Sequence, residues 1–162
     1  MSRVLVTGGS GFIGGHTVDE LINQGYEVVV MDNYEKQVHR GTIPDYENKK
    51  AKYVRGDVRY SKHWSKALTG CEYIIHLAAA VGVGQSFWQS TKYFSVNTIG
   101  TSNLYDILIH EKVSLFKIKK MSWPPGKAFT VKALTHATLI SVTIISKNLA
   151  RVFKTLLNGV PV

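Results

Sequence analysis

The sequence predicts an α/β domain: a doubly wound parallel sheet with helices packed on it. Three observations carry that reading. A glycine-rich turn, Thr7-Gly8-Gly9-Ser10-Gly11-Phe12-Ile13-Gly14, lies between an apolar, β-branched run and an amphipathic segment. Short apolar runs and helical segments then alternate along the chain. The second apolar run, Glu27-Val28-Val29-Val30-Met31-Asp32, ends on a carboxylate 18 positions beyond Gly14.

The first strand is Arg3-Val4-Leu5-Val6, a short run that reads as buried. After the turn, Ile13, Thr17 and Leu21 share one row, with Val18 and Ile22 beside them, which is helical spacing. Gly25 ends this helix as its C′ residue. Gly8 can take the tight turn out of the strand, Gly11 admits a pyrophosphate to the backbone, and Gly14 lets the helix approach the strand. The free N–H groups of the first helical turn, with the positive end of the dipole, then face the phosphates. A glycine turn in this position, followed by a strand ending in Asp32, is the Rossmann-type fingerprint of a dinucleotide site. A carboxylate there accepts hydrogen bonds from the ribose hydroxyls and repels a 2′-phosphate, so NAD is expected rather than NADP.

Residues 33–50 read as an irregular connection with a helical turn. Lys52-Tyr53-Val54-Arg55 is a third strand, Ser61 caps a short helix through Leu68 that Gly70 closes, and residues 72–77 form a fourth strand. A small-residue loop with Gly82 and Gly84 follows. Residues 90–111 read as a long helix whose inner face is Tyr93, Val96, Gly100, Leu104, Ile107 and Leu108. A fifth strand is expected at 115–118, a β-branched run at 137–145, and a helix at 146–158 stopped by Gly159. This order of elements gives a parallel sheet with right-handed crossovers.

With 162 residues the chain is one domain's worth, and at 44% hydrophobic it can bury a core. It begins two residues before its first strand, so no signal or transit peptide is expected, and no apolar run is long enough for a membrane helix. Its single cysteine, Cys71, excludes an internal disulfide and suits the cytoplasm, and no Cys/His cluster has zinc spacing. The charge of +9 is not spread evenly. All 11 acidic residues lie between Asp19 and Glu111, where residues 1–111 also hold 11 Lys and Arg; residues 112–162 hold 9 Lys and Arg and no acid. A break near Lys112 thus divides a neutral part from a basic one. The scattered lysines of the tail and its single Trp123, with no tyrosine, offer no stacking platform, so nucleic acid is disfavoured as a partner.

Taken together, Thr7-Gly8-Gly9-x-Gly11-x-x-Gly14, Asp32-Asn33, Gly56-Asp57-Val58-Arg59, His76-Leu77-Ala78-Ala79 and Asn97-x-x-Gly100-Thr101-x-Asn103-Leu104 resemble the NAD-dependent epimerase/dehydratase family, the extended short-chain dehydrogenases that act on nucleotide sugars. The resemblance covers about residues 3–112. It implies that Gly8, Gly11, Phe12 and Ile13 line the pyrophosphate, with Gly14 behind them, and that Asp32 and the adjoining Asn33 serve the adenosine ribose. It implies further that Asp57 and Val58 meet the adenine edge, that Leu77, Ala78 and Ala79 pass under the cofactor, and that Asn97 braces the helix behind the active site. Gly84 and Ser86 match a loop near the sugar, and His76 matches a packed strand-end position with no proton-transfer role. The implied reaction is NAD-mediated oxidation of a hexose to a 4-keto intermediate, followed by epimerisation or dehydration; the resemblance further implies a homodimer packed through helices, for which the helix at 90–111 is one candidate face.

The family does its chemistry with a Ser or Thr after the fifth strand and a Tyr-x-x-x-Lys on the next helix, the lysine lowering the tyrosine pKa so that the phenolate can take a sugar hydroxyl proton. Here the corresponding stretch is Met121-Ser122-Trp123-Pro124-Pro125-Gly126, and Thr143-Ile144-Ile145-Ser146-Lys147 has threonine where the tyrosine belongs. Only Ser122 and Lys147 stand as catalytic candidates. Tyr46-x-x-x-Lys50 has the spacing but lies before the third strand, on the adenosine side, and no tyrosine follows Tyr105. The chain therefore reads as an NAD-binding domain over 1–118, truncated before the substrate domain, with an atypical basic segment over 119–162 that is either cut short or frame-shifted. The alternative is a non-catalytic NAD-binding sensor.

Overall fold

The computed structural model describes residues 1–40, 42–110, 131–135 and 138–142. Four parallel strands, β1 (Arg3–Thr7), β2 (Glu27–Asp32), β3 (Lys52–Arg55) and β4 (Tyr73–His76), form one sheet in the order β3-β2-β1-β4. In register, Val4 stands opposite Val28 on one side and Tyr73 on the other, and Val29 opposite Lys52. The sheet grows outward in one direction from β1 to β3 and in the other to β4. The carboxyl end of β1 is therefore the switch point, where open α/β sheets bind ligands.

Both faces of the sheet are covered, which is why β1, β2 and β4 carry consecutive buried apolar residues (Val4–Val6, Val28–Met31, Ile74–Ile75), whereas the edge strand β3 leaves Lys52 and Arg55 exposed. On one face Val4, Val6, Val28, Val30 and Ile75 pack under Val18 and Leu21 of α1 (Phe12–Asn23). On the other, Leu5, Val29, Met31 and Ile74 meet Trp64, Ala67 and Leu68 of α3 (Ser61–Leu68) and Leu104 and Ile107 of α6 (Gly100–His110). Between β2 and β3 lies a single helical turn, α2 (Lys36–His39). Leu5 and Trp64 are wholly buried, so truncating either to alanine would cost roughly 2–5 kcal/mol.

The end of α1 follows expectation. Tyr26 N–H reaches Leu21 O and Gly25 N–H reaches Ile22 O, both at 3.0 Å, across Gly25 at φ 84°. Several details do not. Ile13 is 57% exposed, because the first turn of α1 projects past the sheet and Gly14 occupies the inward position instead. Ser61 is the first residue of α3 rather than its cap; Tyr60 holds that place, and no side chain caps the helix. The loop expected around Gly82 and Gly84 contains α4 (Val83–Trp88), held by Ser86 Oγ donating to Val83 O at 2.7 Å. The long helix at 90–111 is α5 (Ser90–Phe94) and α6 joined by a π-helical turn, Ser95–Ile99. Its inner face is as expected: Tyr93, Gly100, Leu104 and Ile107 are buried, and Val96 and Leu108 half-buried.

Within the β-branched run at 137–145, β6 (Thr138–Val142) pairs antiparallel with β5 (Val131–Thr135), Thr135 facing Thr138. Sequence periodicity gave no sign of β5. The expected fifth strand at 115–118, Ser122, Lys147, the helix at 146–158 and Gly159 lie outside the described residues.

Candidate functional site

The turn after β1 fixes the centre of the site. Gly8 stands at φ 69°, and a Cβ on it would lie 2.8 Å from Ala78 N. A Cβ on Gly14 would lie 2.0 Å from Gly8 O, so α1 meets the turn at a distance only glycine permits. Gly11 differs. Its φ is −78°, and a Cβ there would meet only Gly8 O, at 3.3 Å. Only that one backbone oxygen borders its side-chain position, which otherwise leaves room for a pyrophosphate. Gly11 also occupies the N-cap of α1, where no side chain satisfies the first turn. Gly15 N–H is the first to reach back along the helix, to Gly11 O at 2.8 Å. The N–H groups of Phe12, Ile13 and Gly14 precede that bond and are oriented to receive an anion. Phe12 and Ile13 are 80% and 57% exposed at the mouth, with Phe12 edge-on to His16.

At the end of β2, Asp32 is 7% exposed. Its Oδ2 accepts Ser10 N–H at 3.1 Å and its Oδ1 accepts Tyr34 N–H at 2.9 Å. A carboxylate has about four acceptor positions, so two remain for a pair of hydroxyls. The His39 Nε2 lies 3.7 Å from Oδ1. Sequence reasoning found Asp32 but missed the residues that hold it. Ser10 and Tyr34 hold it through their backbone N–H groups, and Tyr46 and Glu47 in turn hold Ser10 and Tyr34, none of which carries a periodic signal. Tyr46 lies on the β2–β3 connection, its hydroxyl donating to Ser10 O at 2.7 Å.

Asn33 and Asp57 are brought together, with Asn33 Nδ2 donating to Asp57 Oδ2 at 3.3 Å. Asp57 is also gripped by Arg59 through Nε, Nη2 (2.6 Å) and the backbone N–H (2.9 Å). Burial would raise its pKa, but the bonds from Arg59 and Asn33 outweigh that and hold it below the usual carboxylate value. An adenine contact through Asp57 requires Arg59 to release an oxygen. Val58 is buried against Gly100, its carbonyl accepting Trp64 Nε1 at 2.8 Å and Asn103 Nδ2 at 3.2 Å.

The end of β4 is tied down by backbone contacts. Thr7 Oγ1 accepts Leu77 N–H and Ala78 N–H, each at 3.2 Å, so its own hydrogen goes to His76 Nδ1 at 2.6 Å. That assigns the proton of the imidazole to Nε2, which donates to Thr101 Oγ1 at 3.1 Å; Thr101 in turn donates to Asn97 O at 2.7 Å. Burial pushes the His76 pKa down to about 4, so the ring is neutral. Asn97, on the π-helical turn, brackets Ala80: its Oδ1 accepts Ala80 N–H at 2.8 Å and its Nδ2 donates to Ala80 O at 3.1 Å. Leu77, Ala78 and Ala79 are half-buried beside the crevice, and Gly84 and Ser86 lie on α4. Among the described residues no group of histidines, cysteines and carboxylates could hold a metal ion, and no helix is long and apolar enough to cross a membrane.

Comparison with known proteins agrees with this arrangement. The model of the NAD dependent epimerase/dehydratase family matches residues 4–118, and the chain belongs to that family. It is 33% identical over 114 residues to the bifunctional UDP-glucose 4-epimerase and UDP-xylose 4-epimerase 1 of Pisum sativum, covering 65% of this chain and 33% of that protein. It is 36% identical over 116 residues to the dTDP-L-rhamnose 4-epimerase of Burkholderia thailandensis, covering 70% and 32%. Among solved structures it resembles the UDP-glucose 4-epimerase of Brucella ovis in complex with NAD, at a TM-score of 0.57 and 34% identity, over 65% of this chain and 31% of that one. The chain thus spans about a third of the length of these relatives.

Proposed function

We propose that this chain binds NAD at the carboxyl end of its sheet and that residues 1–118 form the binding unit. The observation that carries the proposal is the buried Asp32, held by two N–H groups with two acceptor positions to spare, beside the uncapped start of α1. Gly8, Gly11, Phe12, Ile13 and Gly14 would line the pyrophosphate, Asp32 and the adjoining Asn33 would serve the adenosine ribose, and Asp57 and Val58 the adenine edge. Leu77, Ala78, Ala79 and Asn97 would shape the floor toward the nicotinamide. NAD, when bound, supplies the hydride acceptor for oxidising a sugar hydroxyl. The reaction to which this unit belongs is the interconversion or dehydration of a nucleotide-bound hexose through a 4-keto intermediate, in the cytoplasm.

This chain's own residues orient and shield the dinucleotide but supply no phenol for proton transfer, because no tyrosine lies between Tyr105 and Val162. Threonine at 143, with an alcohol pKa far above that of a phenol, cannot act as base near neutral pH. Loss of such a base removes roughly 10²–10⁴ of a rate. That same observation favours a second reading, a non-catalytic NAD-binding sensor whose basic segment, 119–162, meets a partner.

The test is calorimetric titration of the full chain with NAD and NADP, followed by incubation with NAD and UDP-, GDP- and dTDP-hexoses. Saturable NAD binding, NADP weaker by about tenfold or more, and no epimer, 4-keto product or reduced cofactor are expected. Equal affinity for both dinucleotides would overturn the cofactor assignment. Turnover abolished by Ser122→Ala or Lys147→Ala would show that the basic segment builds an active site.

A further inference from the structure

One acidic side chain outside the family's motifs is built into the site. Two residues, Ser10 and Tyr34, each bridge Asp32 to Glu47. Ser10 donates its N–H to Asp32 Oδ2 at 3.1 Å and its hydroxyl to Glu47 Oε1 at 2.6 Å. Tyr34 donates its N–H to Asp32 Oδ1 at 2.9 Å and its hydroxyl to the same Glu47 oxygen at 2.9 Å. Ser10 is wholly buried in the middle of the glycine turn, and its third polar group, the carbonyl, accepts from Tyr46. Every hydrogen-bonding group of that residue is therefore held by Asp32 or by the 46–47 pair. Tyr34 stands at φ 55°, a left-handed conformation that side chains rarely adopt, and its two bonds hold it there. Asn48 anchors the same segment from the other side, its Nδ2 donating to Asp19 of α1 at 2.6 Å and its N–H to Tyr53 Oη of β3 at 3.0 Å. The strap thus reaches from the outer strand across the turn to α1.

The carboxylates also act as charges. Burial first, and then the nearby Glu47 and Asp32, raise the pKa of the Tyr34 phenol; burial, Asp32 and Glu47 raise that of Tyr46. Burial is the larger cause at both phenols, and the two carboxylates add to it on the side where the ribose end of a dinucleotide would lie.

We propose that Glu47 is a positioning and specificity residue of the dinucleotide site. Bridged to Asp32 through Ser10 and Tyr34, it locks the ribose-binding carboxylate and the glycine turn into one arrangement and adds a second negative charge against a 2′-phosphate. The proposal rests on the NAD reading above. It explains why the polar bonds of an irregular loop converge on one serine of the turn.

The experiment compares the unmutated full chain with Glu47→Gln and Glu47→Ala, measuring dissociation constants for NAD and NADP by calorimetry and the thermal unfolding midpoint of each. Glu47→Gln keeps an acceptor oxygen for the hydroxyls but loses the charge. It should hold NAD within about threefold of the unmutated chain while the NADP-to-NAD ratio narrows severalfold. Glu47→Ala loses both functions and should bind NAD about tenfold more weakly. A merely structural role would lower the unfolding midpoint and weaken both dinucleotides alike, leaving the ratio unmoved. An unchanged ratio in Glu47→Gln overturns the specificity role, and full NAD affinity in Glu47→Ala overturns the positioning role. If Glu47→Ala does not fold, Glu47→Gln decides alone. Failure of the unmutated chain to bind NAD is a distinct result, which overturns the dinucleotide reading and this inference with it.

Discussion

The ends of β2 and β4 border the same crevice and are built differently. At the end of β2 the chemistry is in side chains: a buried carboxylate, its two bridging residues and Glu47 form a polar cluster whose bonds close on themselves. At the end of β4 the crevice wall is Leu77, Ala78, Ala79 and Ala80, and what is fixed is the backbone, by Thr7 from below and Asn97 from the side. Beyond it α4 exposes Phe87 and Trp88, at 74% and 90%. The difference teaches where each task is encoded. The polar cluster proposed to meet the adenosine half is built wholly from residues 7–59, on strand ends and the loops that join them. The β4 end offers a smooth floor, and a reacting group would have to come from elsewhere in the sequence.

The most severe way to break the comparison is to attack what both ends share, the turn after β1. Gly14→Ala places a Cβ 2.0 Å from Gly8 O and 2.6 Å from Gly9 Cα, where only backbone could give way. Loss of the cooperative unfolding transition is expected, and a folded Gly14→Ala protein would show that α1 can retreat from the sheet. Gly11→Val tests the same turn without that clash, since its Cβ meets only Gly8 O at 3.3 Å. It should fold and lose NAD affinity by roughly 1,000-fold or more, about 4 kcal/mol. A Gly11→Val protein that binds NAD fully would show that the turn cradles no phosphate.

The β4 end can be loosened by acid alone. Burial holds His76 neutral with a pKa of about 4, against 6.5 for the unfolded chain. Between those values the unfolded state binds the extra proton, so stability falls as pH drops from about 6.5 to about 4 and levels off below. The contribution is bounded at about 3 kcal/mol. Asp57 does not share this window, because its pKa is lowered from 3.8 and its loss comes at more acid pH. Denaturant unfolding at a series of pH values should show that slope in the unmutated chain and a flatter one in His76→Gln. An equally steep slope in both would assign it to another group.

Much of this was legible in the sequence, and what was not has a common cause. The four strands declare themselves as short apolar runs, and α1 and the inner face of α6 by the helical spacing of their apolar side chains. The turn and Asp32 were legible because the spacing between two neighbouring strand ends is nearly fixed. Helix α4 was hidden because Gly82 and Gly84 punctuate it and none of its side chains is buried. The π-helical turn at Ser95–Ile99 inserts its extra residue without altering composition. Ile13 has helical spacing but stands where the sheet no longer covers the helix. The bond from Ser10 to Glu47 joins residues 37 apart through an irregular loop, and no local pattern encodes it.

The sharpest test of the contrast between the two ends is the smallest in energy. Asp32 is the residue of the β2 end whose oxygens would touch the ribose. Asp32→Ala removes two acceptor positions for hydroxyls and the nearest charge to a 2′-phosphate, while leaving Ser10 N–H and Tyr34 N–H without their acceptor. NAD should bind about tenfold more weakly, about 1.4 kcal/mol, and NADP should change far less, so the gap between them narrows. A loss of fold alone would weaken both equally. The matched change at the other end is Ala79→Ser, which adds a hydroxyl at the β4 end, where the nicotinamide half would lie, and no charge near the adenosine. It should leave the NADP-to-NAD ratio where it was, because the two cofactors are identical in that half. Calorimetric titration of both variants with both dinucleotides reads the contrast directly. If Ala79→Ser moves the ratio as much as Asp32→Ala does, discrimination is spread along the crevice and is not a property of the β2 end.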